Sequence, residues 1–219
     1  MKTSLLKIKY FFRNPLQFPI VIITKLSSYF KFIYETRDYQ GYVNFEFWLR
    51  QRLSPLGENR KAYWPVHPTS EVYDVHNIEV GVDAYPGIMG GCYITGKGGL
   101  RIGDYTQIAP NVVIVTANHD QYDLRKSITS PVEIGKYCWI GAGVKIMPGV
   151  VLGDWTIVGA GAVVTKSFAE GHCVIAGVPA KKIKDLDINK CIPYENKIRY
   201  RGYIREDKFH IYRKKYLYV

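Results

Sequence analysis

A six-residue period constrains this chain more than any other feature. Large aliphatic side chains stand at Ile102, Ile108 and Ile114, and again at Ile134, Ile140, Ile146, Leu152, Val158 and Val164, six apart within each run. An α-helix repeats every ~3.6 residues and a simple strand every ~2, so neither produces that interval. Gly or Ala follows six of the nine, at Gly103, Ala109, Gly135, Gly141, Gly153 and Gly159. Four residues beyond each aliphatic lie Thr106, Val112, Asn118, Cys138, Val144, Val150, Thr156, Ala162 and Phe168, mostly small or β-branched. One large inward side chain, a glycine where backbones approach closely and a small inward residue four later suit a short extended segment followed by a corner. Three such segments close a triangular coil of about 18 residues, and coils stack at about 4.8 Å. Weaker hexads precede these, at Val66, Val72 and Ile78, then Val82, Ile88 and Ile94. The reading is mainly β: a parallel β-helix over residues 66–180. A β-sandwich of alternating strands is the competing arrangement, and the held phase argues against it.

The repeat breaks once among its strong hexads. Ile114 to Ile134 is one hexad with 14 extra residues, and Asn118-His119-Asp120-Gln121-Tyr122 opens the excursion. Insertions in a solenoid project from its surface and commonly carry function, so the inserted loop, residues 118–131, is where chemistry is expected.

The ends differ in kind from the middle. The formal charge of +11 divides as +7 over residues 1–65, −3 over 66–180 and +7 over 181–219, so the basic character belongs to the ends. Residues 1–65, with Leu5-Leu6, Phe11-Phe12, Ile20 to Ile23 and Phe45-Glu46-Phe47-Trp48-Leu49-Arg50, read as a helical, partly amphipathic region. It either caps the open end of the coil, or its basic aromatic stretch Lys7 to Tyr34 lies on an anionic membrane surface. Residues 181–219 form a basic extension whose tyrosines, Tyr200, Tyr203, Tyr212, Tyr216 and Tyr218, are one candidate surface for a neighbouring subunit, the sequence leaving the role of the extension open. No recognition motif accompanies the charge, so nucleic acid is not an expected partner.

The four cysteines form no C-x-x-C pair, which indicates neither a zinc ribbon nor a disulfide framework and makes a reducing cytoplasm the expected compartment. The longest charge-free N-terminal run, Asn14 to Thr24, contains two prolines and is shorter than the roughly 20 residues a bilayer span needs. No cleavable signal peptide is recognisable there.

The segments Ile102-Gly103-Asp104 to Ile108-Ala109-Pro110-Asn111, Asn118-His119, Trp139-Ile140-Gly141-Ala142-Gly143, Pro148-Gly149-Val150, Ile157 to Lys166 and Ala176-Gly177-Val178-Pro179-Ala180-Lys181 resemble, in that order, the hexapeptide-repeat acyltransferases. Within that family they are similar to the maltose and galactoside O-acetyltransferases and to those of surface-polysaccharide synthesis. The resemblance covers about residues 80–185. It implies a left-handed β-helix, a homotrimer with active sites in the clefts between subunits, and acetyl-CoA as donor, with no metal.

Acetyl transfer from a thioester to a hydroxyl needs a base for the hydroxyl proton, and histidine suits that task near neutral pH. Of the five histidines, only His119 combines the mouth of the loop with the family's catalytic position. Asp120 is a candidate for fixing its tautomer. The resemblance places an oxyanion-binding backbone N–H at Ala142 and runs the pantetheine amides past Ala142 and Ala160. Trp139 matches the family's aromatic against the pantetheine arm, or else is an intersubunit contact. Lys166, Lys181 and Lys182 either meet the CoA phosphates or are solvated. The acceptor is expected beside His119, near Asn118, Asp120, Tyr85 and Met89. The stretch Ile88-Met89-Gly90-Gly91-Cys92 departs from the polar pattern of the sugar acetyltransferases. Cys138 reads as a core thiol rather than a nucleophile. The expected function is O-acetylation of a sugar or glycan. The alternatives are N-acetylation of an amino or nucleotide sugar on the same fold, a zinc hydratase, for which His119 lacks histidine partners in its own loop, and a scaffold without activity.

Overall fold

The structure, a computed structural model, describes residues 31–36 and 43–219. The chain divides into two compact units, Met1–Trp48 and Leu49–Val219. In the first, the described residues form the helix Lys31–Glu35, with Phe32 and Ile33 buried, and the start of the helix Phe45–Arg52. The pairs Leu5-Leu6 and Phe11-Phe12, Ile20 to Ile23 and most of the basic stretch Lys7 to Tyr34 lie outside the described residues. Among the described residues no helix is long and apolar enough to cross a membrane.

The second unit is a three-faced parallel β-helix. Its first face stacks Glu71–Tyr73, Tyr93–Thr95, Val113–Ile114, Lys145–Ile146 and Val163–Val164. The second face stacks Ile78–Val80, Leu100–Ile102, Val132–Ile134 and Val151–Leu152. The third stacks Gln107–Ile108, Trp139–Ile140, Thr156–Val158 and Cys173–Ala176, closed by the antiparallel edge strand Lys181–Asp185. Regular coils hold the 18-residue register, pairing Trp139 with Ile157, Lys145 with Val163 and Glu133 with Val151. Across the insertion the register becomes 32 residues, pairing Gln107 with Trp139 and Val113 with Lys145, which is the coil plus the 14 extra residues. The first coils are longer, 22 residues between Glu71 and Tyr93 and between Ile78 and Leu100, because the irregular segment between Val80 and Tyr93 carries the extra residues.

All nine strong-hexad aliphatics are buried, in one continuous core with Val112, Cys138, Val144, Val150 and Ala162 of the small-residue slot. Three positions depart from the period. Asn118 is exposed because the chain has already left the coil, and the buried Thr116 ends the wall instead. Phe168 is half-buried near the end of the solenoid, and Ile88 is half-buried in an irregular early coil. At Gly135 a Cβ would lie 2.5 Å from the backbone N of Asp154 in the next coil, so glycine is what lets adjacent coils close there.

The basic extension packs on its own chain. After the edge strand it returns along the corner between the second and third faces. There Tyr194 packs on a ladder of Tyr105, Tyr137 and Trp155, whose rings stack at 5.4 and 4.6 Å. Tyr137 donates its hydroxyl proton to Tyr194 O, and the Asn196 N–H donates to the Tyr105 hydroxyl. The extension then reaches the first coils, where Val82 bridges Arg201 and the helix Glu206–Tyr216 lays Phe209 and Tyr212 against Tyr63. The physical reason is burial: Tyr200 and Phe209 join the protein's own interior, removing aromatic surface from water.

Candidate active site

His119 is placed by the inserted loop, which folds as a β-hairpin pairing Ala117–His119 with Ser127–Thr129. The hairpin springs from the corner between the first and second faces. It is anchored by Thr116, whose buried hydroxyl donates to Thr95 O at 2.9 Å and accepts from the Gly98 N–H at 2.8 Å. At its tip, the Asp120 N–H donates to Lys126 O and the Lys126 N–H to Asp123 O. The turn brings Leu124 O to 2.6 Å from Nδ1 of the exposed His119. A carbonyl oxygen only accepts, so Nδ1 carries a proton, and in the neutral ring it is Nε2 that holds the lone pair.

Asp120 does not orient the imidazole by direct contact. Its carboxylate accepts the N–H groups of Tyr122 and Asp123 at 2.8 and 2.9 Å, and these donors hold its carboxyl below the ordinary aspartate range. Both donors fall on Oδ1. Asn118 is exposed one residue before His119. Tyr85 stands with its half-buried ring packed on the core, and burial, then the neighbouring Asp83 carboxylate, push its hydroxyl well above the usual tyrosine range. Met89 is 50% exposed but belongs to the corner between the third and first faces, a different corner from that of His119.

That other corner gathers the residues expected on the donor side. Trp139 is 59% exposed on the third face, flanked in register by Gln107 and Ile157. Just beyond it lie the exposed Ala142 and, one coil later, Ala160. The N–H groups beside Ala142 are engaged, Gly141 with Val158 O and Gly143 with Pro110 O. Among the described residues, neither the Ala142 nor the Ala160 N–H donates to a protein acceptor. Gly143 and Gly161 hold positive φ along the same corner, and a Cβ at Gly161 would meet nothing within 4 Å. An exposed indole beside an open track of small residues with free amides fits an extended amide-bearing arm.

The lysines are dispersed. Lys166 stands at the His119 corner with its ammonium 5.6 Å from the Phe168 ring centroid. Lys182 is paired with Asp185 at 2.8 Å, and Lys181 begins the exposed edge strand. Cys138 is buried, and burial pushes its thiol up to about 11. Among the described residues no three of His, Cys, Asp and Glu are grouped as metal ligands.

Residues 131–166 match the model of the bacterial transferase hexapeptide family (six repeats). The galactoside O-acetyltransferase of Escherichia coli (strain K12) is 34% identical over 143 residues, covering 64% of this chain and 67% of that protein. Nodulation protein L of Rhizobium meliloti (strain 1021) is 42% identical over 137 residues, 61% of this chain and 71% of its own length. The chain belongs to the hexapeptide-repeat acetyltransferases. A solved galactoside acetyltransferase in complex with coenzyme A is 30% identical and superposes with a TM-score of 0.50, covering 64% of this chain and 70% of that one. As in its structural relatives, the prism of this acetyltransferase is a left-handed β-helix.

Two features of this acetyltransferase escape sequence reasoning. The group that fixes His119 is a backbone carbonyl, which no side-chain motif marks. The aromatic ladder left a signal, since Tyr137 and Trp155 are 18 residues apart and Tyr105 lies 32 before Tyr137, the register of the coils.

Proposed function

We propose that the protein is an acetyl-CoA-dependent O-acetyltransferase acting on a hydroxyl of a sugar or glycan, with His119 as general base in a direct attack. The observation that carries this reading is the 2.6 Å contact from His119 Nδ1 to Leu124 O, which leaves Nε2 free to accept a proton. When bound, acetyl-CoA supplies the activated acyl group as a thioester. Nε2 would take the proton of the acceptor hydroxyl as its oxygen bonds the acyl carbon, the carbonyl on Nδ1–H would stabilise the resulting imidazolium, and the imidazolium would return that proton to the CoA sulfur as the C–S bond breaks. The free N–H of Ala142 offers a preorganised donor for a developing oxyanion. Trp139, Ala142 and Ala160 line the donor arm, with Lys166, Lys181 and Lys182 toward its phosphates and Asn118 toward the acceptor. Cys138, with its thiol protonated at neutral pH, is a poor candidate for an acyl-enzyme.

Within one chain the His119 corner and the Ala142 corner flank opposite edges of the first face. We therefore infer a homotrimer, in which one subunit's His119 corner would lie beside its neighbour's Ala142 corner. Four free cysteines support a reducing compartment, and the cytoplasm is the location this reading assigns. Removing a general base costs about 10²–10⁴ in rate. His119→Ala is expected to lose acetyl transfer by that factor while binding acetyl-CoA with little change, as read by steady-state rates and calorimetry. Retained turnover would overturn the assignment of the base.

A further inference from the structure

We propose that Asp120 is a positioning residue that sets the tautomer of His119 through the backbone of the hairpin, without touching the imidazole or the substrate. The inference rests on the reading of His119 as the base and adds what holds it ready.

The Asp120 carboxylate ties down two consecutive N–H groups, those of Tyr122 and Asp123, and closes the first half of the tip. Asp123 continues the same construction: its carbonyl accepts the Lys126 N–H, and its carboxylate takes the Arg125 Nε–H at 2.8 Å and Nη2–H at 3.1 Å. The Asp120 N–H donates to Lys126 O across the tip. Residue 124 sits between these fixed points, and its carbonyl is thereby turned inward to 2.6 Å from Nδ1. The Leu124 side chain is exposed, so side-chain packing does not impose this orientation.

An imidazole in water populates both tautomers, and only the one with its proton on Nδ1 presents a basic Nε2 at the free edge of this ring. A carbonyl fixed opposite Nδ1 selects that tautomer before substrate arrives. It also strengthens its hydrogen bond as the ring becomes charged. Serial turns of this kind do the work that a carboxylate partner would do in a triad.

The test compares the full-length protein with Asp120→Ala and Asp120→Asn. The asparagine side-chain oxygen accepts the same two N–H groups, so Asp120→Asn should keep the turn without the charge. Two-bond ¹H–¹⁵N correlation spectra of the imidazoles, with His119 assigned by its loss in His119→Ala, should show Nδ1 protonated in the parent and in Asp120→Asn. In Asp120→Ala they should show a mixture. In parallel, kcat of Asp120→Ala should fall roughly 10- to 100-fold with KM for acetyl-CoA unchanged, and Asp120→Asn should restore most of it. An Asp120→Ala protein with unaltered tautomer and kcat would overturn the proposal. So would an Asp120→Asn protein as impaired as Asp120→Ala, which would assign the carboxylate a role of its own. The spectra report on the ring whether or not it is the base, so failure of the base assignment, seen as turnover in His119→Ala, is read separately.

Discussion

His119 and Cys138 show how position in the prism decides what a reactive side chain does. His119 stands outside the wall on a hairpin, held at Nδ1 by Leu124 O and open at Nε2. Cys138 occupies an inward slot one face away, where its N–H donates to the Thr106 hydroxyl and burial raises its thiol to about 11. Thiolate is the reacting form, so the folded protein should leave Cys138 unmodified by iodoacetamide at neutral pH, whereas denaturant should expose it. Mass mapping of the alkylated peptides checks this, and prompt labelling in the folded state would contradict its place in the core. Gln51 is the polar counterpart, buried with its amide donating to Asn59 O and Trp64 O and its oxygen accepting from the Val66 N–H and the Tyr203 hydroxyl. That pattern meets every hydrogen-bonding need of a buried amide.

Among the elements, the coil corners carry most of the constraint. At Gly135 the space for a Cβ is already taken by the backbone of Asp154 and Gly153, whereas at Gly161 the space is open and only the positive φ opposes a side chain. Gly135→Ala must push adjacent coils away from each other, and a destabilisation of about 2 kcal/mol or more is expected. Gly161→Ala should cost only the conformational strain, about 1 kcal/mol. Urea denaturation of both variants measures the difference, and equal losses would refute the close approach of coils at Gly135. The aliphatic hexads made the coils readable from sequence, because each repeat reports the same inward slot. His119 was readable because it opens the sole long break in that phase. The return of the C-terminal segment was not, since Asn196 meets Tyr105 at a separation of 91 residues and no local pattern encodes the meeting. The partners of Tyr85 and Asp120, namely Asp83 and the N–H groups of Tyr122 and Asp123, were likewise unmarked by any local pattern.

For the whole molecule, the strap formed by residues 186–219 ties the last coil to the first. Asp83 and Tyr105 meet Asn196, Glu79 pairs with Arg213 at 2.9 Å, and the Tyr218 N–H donates to His76 O. The rigid trunk thus fixed leaves two chemically distinct corners, an imidazole on one and free amides beside an exposed indole on the other. Acetyl transfer to oxygen is the reaction proposed to join them. Its most direct test is to incubate the purified full-length protein with acetyl-CoA and a panel of hydroxyl and amino sugars, following free thiol and locating the acetyl group of the product by NMR. Acceptor-dependent thiol release with the acetyl on a sugar oxygen is the expected result. Thiol release confined to amino sugars, with the acetyl on nitrogen, would contradict it, as would no release with any acceptor.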